Sequence, residues 1–313
     1  MASLFGWWKG RQVQPERVPT DTVIPFYFLD GNSIFTNIIM DLSLQFDQVL
    51  DVEKLVRALE QLLEKPGWRK LRARLRRSKS GKCDYHVPAV YTPERPAISF
   101  SHTKYDIALR EYPIGSTIPC PNDTIQVSGD TKAYRPLFLP PDSPTKVEDW
   151  LCTDRPQIVL HIVSFTDITL IKVTWLHSCM DAMSLHLLFT AWTAMLSGRE
   201  EDVPETCGEL EDPLATLGAP STTIQEEEFL LTGKHVTGLS FIHFVLALLW
   251  DLLLHRREEI HYLILPAPFI STLQSSVFVS LPTLPPLLPT PNTADPTKPF
   301  LSPATSSAPS GPA

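Results

Sequence analysis

The sequence predicts an α/β (α+β) fold, and three observations carry that reading. First, Gln157–Phe165 and Thr169–Leu176 are two apolar, β-branched runs, separated by a Thr166-Asp167-Ile168 linker short enough for a hairpin. Second, Asp51–Glu64 sets Val52, Leu55, Val56, Leu59, Leu62 and Leu63 at helical spacing, with Asp51 as N-cap and Pro66-Gly67 as terminator. Third, the stretch after Leu176 carries a second apolar stripe (Leu185, Leu188, Phe189, Trp192, Met195, Leu196) and closes on Gly198, a residue suited to the turn beyond a helix.

In chain order, residues 1–22 are polar around an aromatic knot of Phe5, Trp7 and Trp8, an arm expected to pack on the domain. Val23–Leu29 and Thr36–Phe46 are expected to be strands, and the helix over Asp51–Glu64 follows. In Arg69–Arg77, Leu71, Ala73 and Leu75 alternate with Arg72, Arg74 and Arg76, the period of a strand with one cationic, solvated face. Val87–Pro156 is rich in proline and turn residues, so long excursions should separate short strands there. After the hairpin and its helix, Glu200–Gln225 reads as an acidic crossing loop, Phe241–His255 as a nearly all-apolar helix and Glu258–Pro266 as a strand. From about Leu273 the composition turns to Pro, Ser, Thr and Ala, with roughly ten prolines after Leu281. Such a segment buries too little apolar surface to offset its ordering entropy, so disorder is expected.

The bulk composition narrows the class. A chain of 313 residues with 43% hydrophobic content can build a sizeable core, as one large or two modest domains. A net charge of −8 argues against a nucleic-acid binder, which needs a basic face. The five cysteines, Cys83, Cys120, Cys152, Cys179 and Cys207, never form a Cys-x-x-Cys pair, which fits reduced thiols better than disulfides or zinc. The N-terminus lacks a secretory apolar run, and Phe241–Leu254 is too short to span a bilayer. A soluble, cytoplasmic protein is the expectation, with no metal site.

One motif carries chemistry. His177 and Asp181 form His-x-x-x-Asp on the turn between the second hairpin strand and its helix. The same string recurs at His102 and Asp106, but in polar sequence with no apolar helix behind it. By spacing alone His177 also reads as an ordinary core histidine; its placement between a buried strand and an amphipathic helix is what aims it. An imidazole there can remove a proton from a hydroxyl or amine attacking a thioester or ester carbonyl. Asp181 can orient the ring, or pin the turn by pairing with an arginine. No Gly-x-Ser-x-Gly elbow and no Gly-rich phosphate loop occurs. Ser178 and Cys179 adjoin the histidine in sequence, which points them away from it. His161 and His186 read as strand and helix residues.

Several segments together resemble the fungal branch of the BAHD acyltransferases, of the trichothecene acetyltransferase type. They are Pro25-Phe26-Tyr27-Phe28-Leu29-Asp30, Glu53–Arg77 with Trp68-Arg69-Lys70-Leu71, Asp154-Arg155-Pro156-Gln157, and His177-Ser-Cys-Met-Asp181-Ala-Met. Ala191-Trp192, Gly198-Arg199, Asp212–Gly218, Leu249-Trp250-Asp251, His255-Arg256-Arg257 and Leu265-Pro266-Ala267 continue the match over roughly Val23–Ile270. The resemblance implies a chloramphenicol-acetyltransferase-like fold of two similar α/β domains with a channel between them. It implies His177 as general base, Asp181 as a structural residue, acyl-CoA as co-substrate rather than bound cofactor, and a small secondary metabolite as acceptor. It names no cofactor-binding residue in this chain.

The chain also departs from the pattern. Ala182 stands where the family often has glycine, and no Asp-Phe-Gly-Trp-Gly motif occurs. The resemblance stops near Phe269–Leu273. The expectation is therefore an N-terminal acyltransferase domain over 1–225, a crossover helix and the start of an incomplete second domain over 226–272, and a disordered tail over 273–313. That organisation implies either an acyl-CoA-dependent O-acyltransferase or a truncated, inactive remnant with at most a binding role. A shifted frame or a retained intron would account for the change of composition.

Overall fold

A computed structural model describes residues 13–28, 30–78, 81–118, 122–140, 142–206, 212, 214–215, 231, 233–256 and 261–280. The aromatic knot at Phe5, Trp7 and Trp8, together with Cys120, Cys207 and residues 281–313, lies outside them. The chain divides into two compact units, Met1–Ser116 with Arg135–His235, and Thr117–Tyr134 with Val236–Ala313.

In chain order the first unit begins with β1 (Thr22–Pro25), α1 (Ser33–Asn37), β2 (Ile39–Phe46), α2 (Val52–Leu62), β3 (Arg74–Arg77), β4 (Cys83–Val87) and β5 (Ser99–Lys104). The second unit then supplies β6 (Gln126–Asp130). The first resumes with α3 (Arg135–Phe138), α4 (Glu148–Leu151), β7 (Val159–Ser164), β8 (Thr169–Leu176) and α5 (Ala182–Leu196). The second closes with α6 (Gly238–Leu254), β9 (His261–Ile264) and α7 (Ala267–Ser280). The fold is mixed α/β, as expected.

The main sheet has the order β2-β8-β7-β5, antiparallel except where β5 runs parallel to β7. The hairpin of β7 and β8 forms as the sequence predicts, with Ser164 opposite Thr169. Every residue of both strands is buried, so both faces of the sheet are covered. On one face Leu160, Ile162, Ile171, Val173 and Trp175 meet Leu55, Leu59 and Leu62 of α2 and Leu188, Ala191 and Trp192 of α5. Each such side chain contributes about 1.5–3 kcal/mol on leaving water. The indole of Trp192 also donates to the Leu55 carbonyl at 3.0 Å, tying α5 to α2. On the other face Val159 and Leu176 pack with Ile24, Leu75, Tyr85 and Trp150, beside the small antiparallel sheet β1-β4-β3.

The helix boundaries follow local chemistry. Asp51 caps α2 by accepting from the Lys54 N–H at 2.9 Å, and Gly67, at φ 82°, takes the chain away after the helix. Gly198 does the same beyond α5 at φ 69°.

Three expectations change. Thr36 and Asn37, assigned by alternation to the start of a strand, close the short helix α1 instead. Asn32 nucleates it by accepting from the Ile34 N–H at 2.9 Å, a cap that outweighs two residues of alternation. Residues 273–280, placed by composition in the tail, continue α7; no proline interrupts them before Pro282.

The arginine stretch differs most. Arg69–Arg72 is a tight 3-10 turn, only Arg74–Arg77 is strand, and Arg72, Arg74 and Arg76 are buried. Their cationic heads find carbonyls and a carboxylate, some near in the sequence and others as far off as Thr153 and Asp154. Arg72 donates to the Leu63 carbonyl at 3.1 Å and lies 3.8 Å over the Tyr91 ring. Arg74 donates to the carbonyls of Arg72 and Pro96, both at 2.6 Å. Arg76 donates to the Thr153 carbonyl at 3.0 Å and pairs with Asp154. Asp154 also faces Arg95, which pairs with Asp21 at 2.8 Å. Burial, and then the charge of Arg95, bring Arg74 down to about 10.

Two buried histidines give stability a pH dependence. Burial holds His161 below the ordinary imidazole value, and burial followed by Arg17 and Arg76 does the same for His86. The unfolded chain therefore binds protons more readily than the folded one as pH falls through about 6.5. Stability should be full above that value and decline below it, read as the urea midpoint at pH 7.5 and at pH 5.5. Among the described residues neither ring nitrogen of His86 has a hydrogen-bond partner, so His86→Leu should flatten the decline at little cost near neutrality. An unchanged slope in that variant would assign the effect elsewhere.

In the second unit β6 pairs antiparallel with β9. Helix α6 is nearly all apolar, and none of its residues is buried. No helix among the described residues is long and apolar enough to cross a membrane.

Candidate active site

The turn that follows β8 is held at each successive residue. Pairing of Ile39 with Leu176 ends the β2–β8 ladder, and the next bond, from the His177 N–H to the Ile38 carbonyl, is 2.9 Å. The Ser178 carbonyl accepts from the Tyr85 hydroxyl at 3.0 Å. The Cys179 N–H returns to the Leu176 carbonyl at 2.9 Å, and the Met180 carbonyl accepts from the Trp175 indole at 2.7 Å. A turn satisfied in this way keeps one backbone conformation, so the histidine it carries has a defined origin.

The His177 side chain is half-buried, and its ring stacks on Phe35 of α1 with centroids 4.8 Å apart and planes 11° from parallel. Among the described residues no hydrogen bond engages either ring nitrogen. The imidazole is therefore walled on one face and free at its nitrogens to meet a proton donor.

Asp181 does a different job from its neighbour. As N-cap of α5 it accepts from the Ser184 N–H at 2.8 Å and the Ser184 hydroxyl at 2.7 Å. It takes part in no ion pair among the described residues; capping, not an arginine, ties it to the turn. The Ser184 backbone N–H, then its hydroxyl, the Met183 N–H and His177 hold the Asp181 carboxyl below the usual carboxylate range. Asp181→Ala should cost about 1 kcal/mol of stability, and Asp181→Asn much less, since an amide oxygen can still cap. Equal losses in the two variants, read by urea denaturation, would show that charge rather than capping is what matters.

The neighbouring nucleophile candidates are disabled. Enclosure in the protein pushes the Cys179 thiol up to about 12, where a thiolate is scarce. Ser178 is buried, and among the described residues its hydroxyl has no hydrogen-bond partner. His186 is exposed on α5, and His161 bonds Ser101 across the sheet at 2.8 Å. The look-alike pair is split: His102 bonds the Ser164 hydroxyl at 2.9 Å, while exposed Asp106 faces Lys104 at 3.7 Å. Among the described residues no cluster of His, Cys, Asp and Glu is placed to hold a metal ion.

Behind the turn, an ion pair of Lys70 with Asp30 at 2.7 Å sets the ammonium 4.8 Å over the Tyr85 ring. This support escapes a reading of motifs, because Asp30, Lys70 and Tyr85 are far apart in the chain. Two of the three do lie in segments that carry the family resemblance. A third such segment joins them: Asp212 accepts from the Phe28 N–H at 3.1 Å.

Comparison with known proteins places the chain. Over 260 residues it is 36% identical to the acetyltransferase adrJ of Penicillium roqueforti, spanning 83% of this chain and 52% of adrJ. Acetyltransferase pyiB of Pyricularia grisea matches at 36% over 264 residues, 84% of this chain and 52% of pyiB. The chain is thus similar to proteins named as fungal acetyltransferases. It spans about half the length of these curated relatives. A third relative, calD of Penicillium decumbens, is called a transcriptional regulator and matches at 32% over 269 residues, 86% of this chain and 53% of calD. No family model matches. Among solved structures, F. sporotrichioides TRI101 complexed with coenzyme A and T-2 aligns at 12% identity and a TM-score of 0.35, over 57% of this chain and 41% of that one.

Proposed function

We propose that the chain serves acyl transfer, moving an acyl group, acetyl in the simplest case, from acyl-CoA to a hydroxyl or amine of a small secondary metabolite. The observation that carries this reading is the half-buried His177 ring, with no hydrogen bond at its nitrogens among the described residues, on a turn with a backbone hydrogen bond at each of residues 177–180. In the proposed step the imidazole takes the acceptor's proton as its oxygen or nitrogen attacks the thioester carbonyl. The tetrahedral intermediate then collapses, the C–S bond breaks, and the departing CoA thiolate recovers the proton from the imidazolium. Asp181 keeps α5 and the turn in register and does not touch the reacting atoms. Residues 1–225 are read as the acyltransferase domain and 226–272 as the crossover into a second, with the cytoplasm as the expected setting.

A second reading is a chain that binds a ligand or partner without turnover. One observation favours it: two relatives, calD and sdnM of Sordaria araneosa, matched over 86% and 88% of this chain, are named transcriptional regulators. One assay separates the two. The purified chain is offered acetyl-CoA with a panel of hydroxylated metabolites, and acetylated product and free CoA are measured together. Matched appearance of both supports acyl transfer. A folded sample that yields neither sinks it in favour of the binding role.

A further inference from the structure

We propose that Phe35 is a positioning residue for His177, holding the plane of the imidazole so that its nitrogens stay presented to the acceptor. This rests on the reading of His177 as the general base. Rotation of an imidazole about its last side-chain bond is broad and weakly restrained, so a histidine on a rigid turn still needs something to fix its ring. Ring nitrogens without hydrogen bonds, as His177 has among the described residues, leave that restraint to packing. The stacked Phe35 ring, 4.8 Å away and 11° from parallel, is the wall that supplies it.

The sequence builds this wall locally. Asn32 caps α1, and the Thr36 hydroxyl bonds the carbonyls of Asn32 at 2.9 Å and Asp30 at 3.3 Å, so the short helix has a set orientation. Ile38 leaves α1 and accepts from the His177 N–H; Ile39 then pairs with Leu176. Phe35 and His177 are thus brought together by the first bonds of one ladder. Asp30, two residues before the cap, pairs with Lys70 and so ties the same segment to the residues beneath Tyr85. A single segment, residues 30–38, therefore supports both the ring and the turn.

The experiment compares Phe35→Leu, Phe35→Tyr and His177→Ala with the parent chain. Misaligning a catalytic group by a fraction of an ångström to an ångström is costly in rate, so Phe35→Leu should lower kcat by about tenfold. Its KM for acetyl-CoA should stay within about twofold, because no binding contact is removed. Phe35→Tyr keeps the ring and should restore kcat. Proton spectra of the His177 imidazole give a readout independent of turnover. Ring current from Phe35 shifts these protons upfield in the parent and in Phe35→Tyr, and they should move downfield in Phe35→Leu. Imidazole protons that do not move overturn the proposal, as does full activity in Phe35→Leu beside an inactive His177→Ala. Full activity in His177→Ala sinks the base reading, and the role of Phe35 with it. If the parent chain shows no turnover, the base reading fails, and the spectra alone decide whether Phe35 holds the ring.

Discussion

Under the proposed acyl-transfer reading, His177→Ala is expected to lower turnover by about 10²–10⁴-fold, the usual contribution of a positioned general base. The expectation follows from the place of the ring rather than from its identity. His177 alone among the described histidines sits half-buried at the end of a fully paired strand with its nitrogens unengaged by its own fold. Removal of the ring leaves the turn intact, since all four of its hydrogen bonds run through backbone atoms of residues 177–180. The loss should therefore appear in kcat, with the thermal midpoint little changed. His102→Ala is the matched control: it removes a histidine from the same sheet that bonds Ser164, and it should leave turnover as it is. Equal activity in parent and His177→Ala would dismiss the proton-transfer role.

Trp175→Ala should produce the largest loss of stability, about 3–5 kcal/mol, typical of an excised core aromatic. The side chain is 1% exposed and packs in the layer between the sheet, α2 and α5. Its indole also satisfies the Met180 carbonyl at 2.7 Å, so alanine leaves both a cavity and an unpaired acceptor. Against a total of about 5–15 kcal/mol for a domain, that loss is a third or more of the stability in most of the range. It unfolds a measurable fraction at room temperature where the total is about 5 kcal/mol. Trp175→Phe separates the two contributions. It retains most of the packing, loses the bond to the turn, and should reduce acyl transfer more than stability. Urea denaturation and the acetyl-CoA assay on the same preparation read both effects. A Trp175→Ala chain with the parent's urea midpoint would contradict the packing described here.

Local patterns carried much of the fold. Two β-branched runs around a short polar linker suffice for the β7–β8 hairpin, because strand propensity and turn length are properties of neighbouring residues. Asp51 with its apolar spacing determines α2, and the stripe ending at Gly198 determines α5, for the same reason. Context of that kind also separated His177 from His102, since only the former lies between a buried strand and an apolar helix. What periodicity misjudged was the environment. Alternation at Arg72, Arg74 and Arg76 is real, yet the face it defines is buried, because the carbonyls of Leu63, Pro96 and Thr153 and the carboxylate of Asp154 come from elsewhere in the chain.

The same division runs through the strand–turn–helix at the site. The sequence by itself determined that a histidine would stand at the end of a buried strand, followed by an acid one turn into the next segment. Tertiary structure decided what each does. Asp181 caps α5 because Ser184 presents its N–H and hydroxyl there, and Phe35 stacks on His177 because β2 and β8 share a register that brings residue 38 beside residue 177. Spacing within a segment is written in neighbouring residues. A partner supplied by another strand depends on how the sheet is ordered, and only the folded chain contains that.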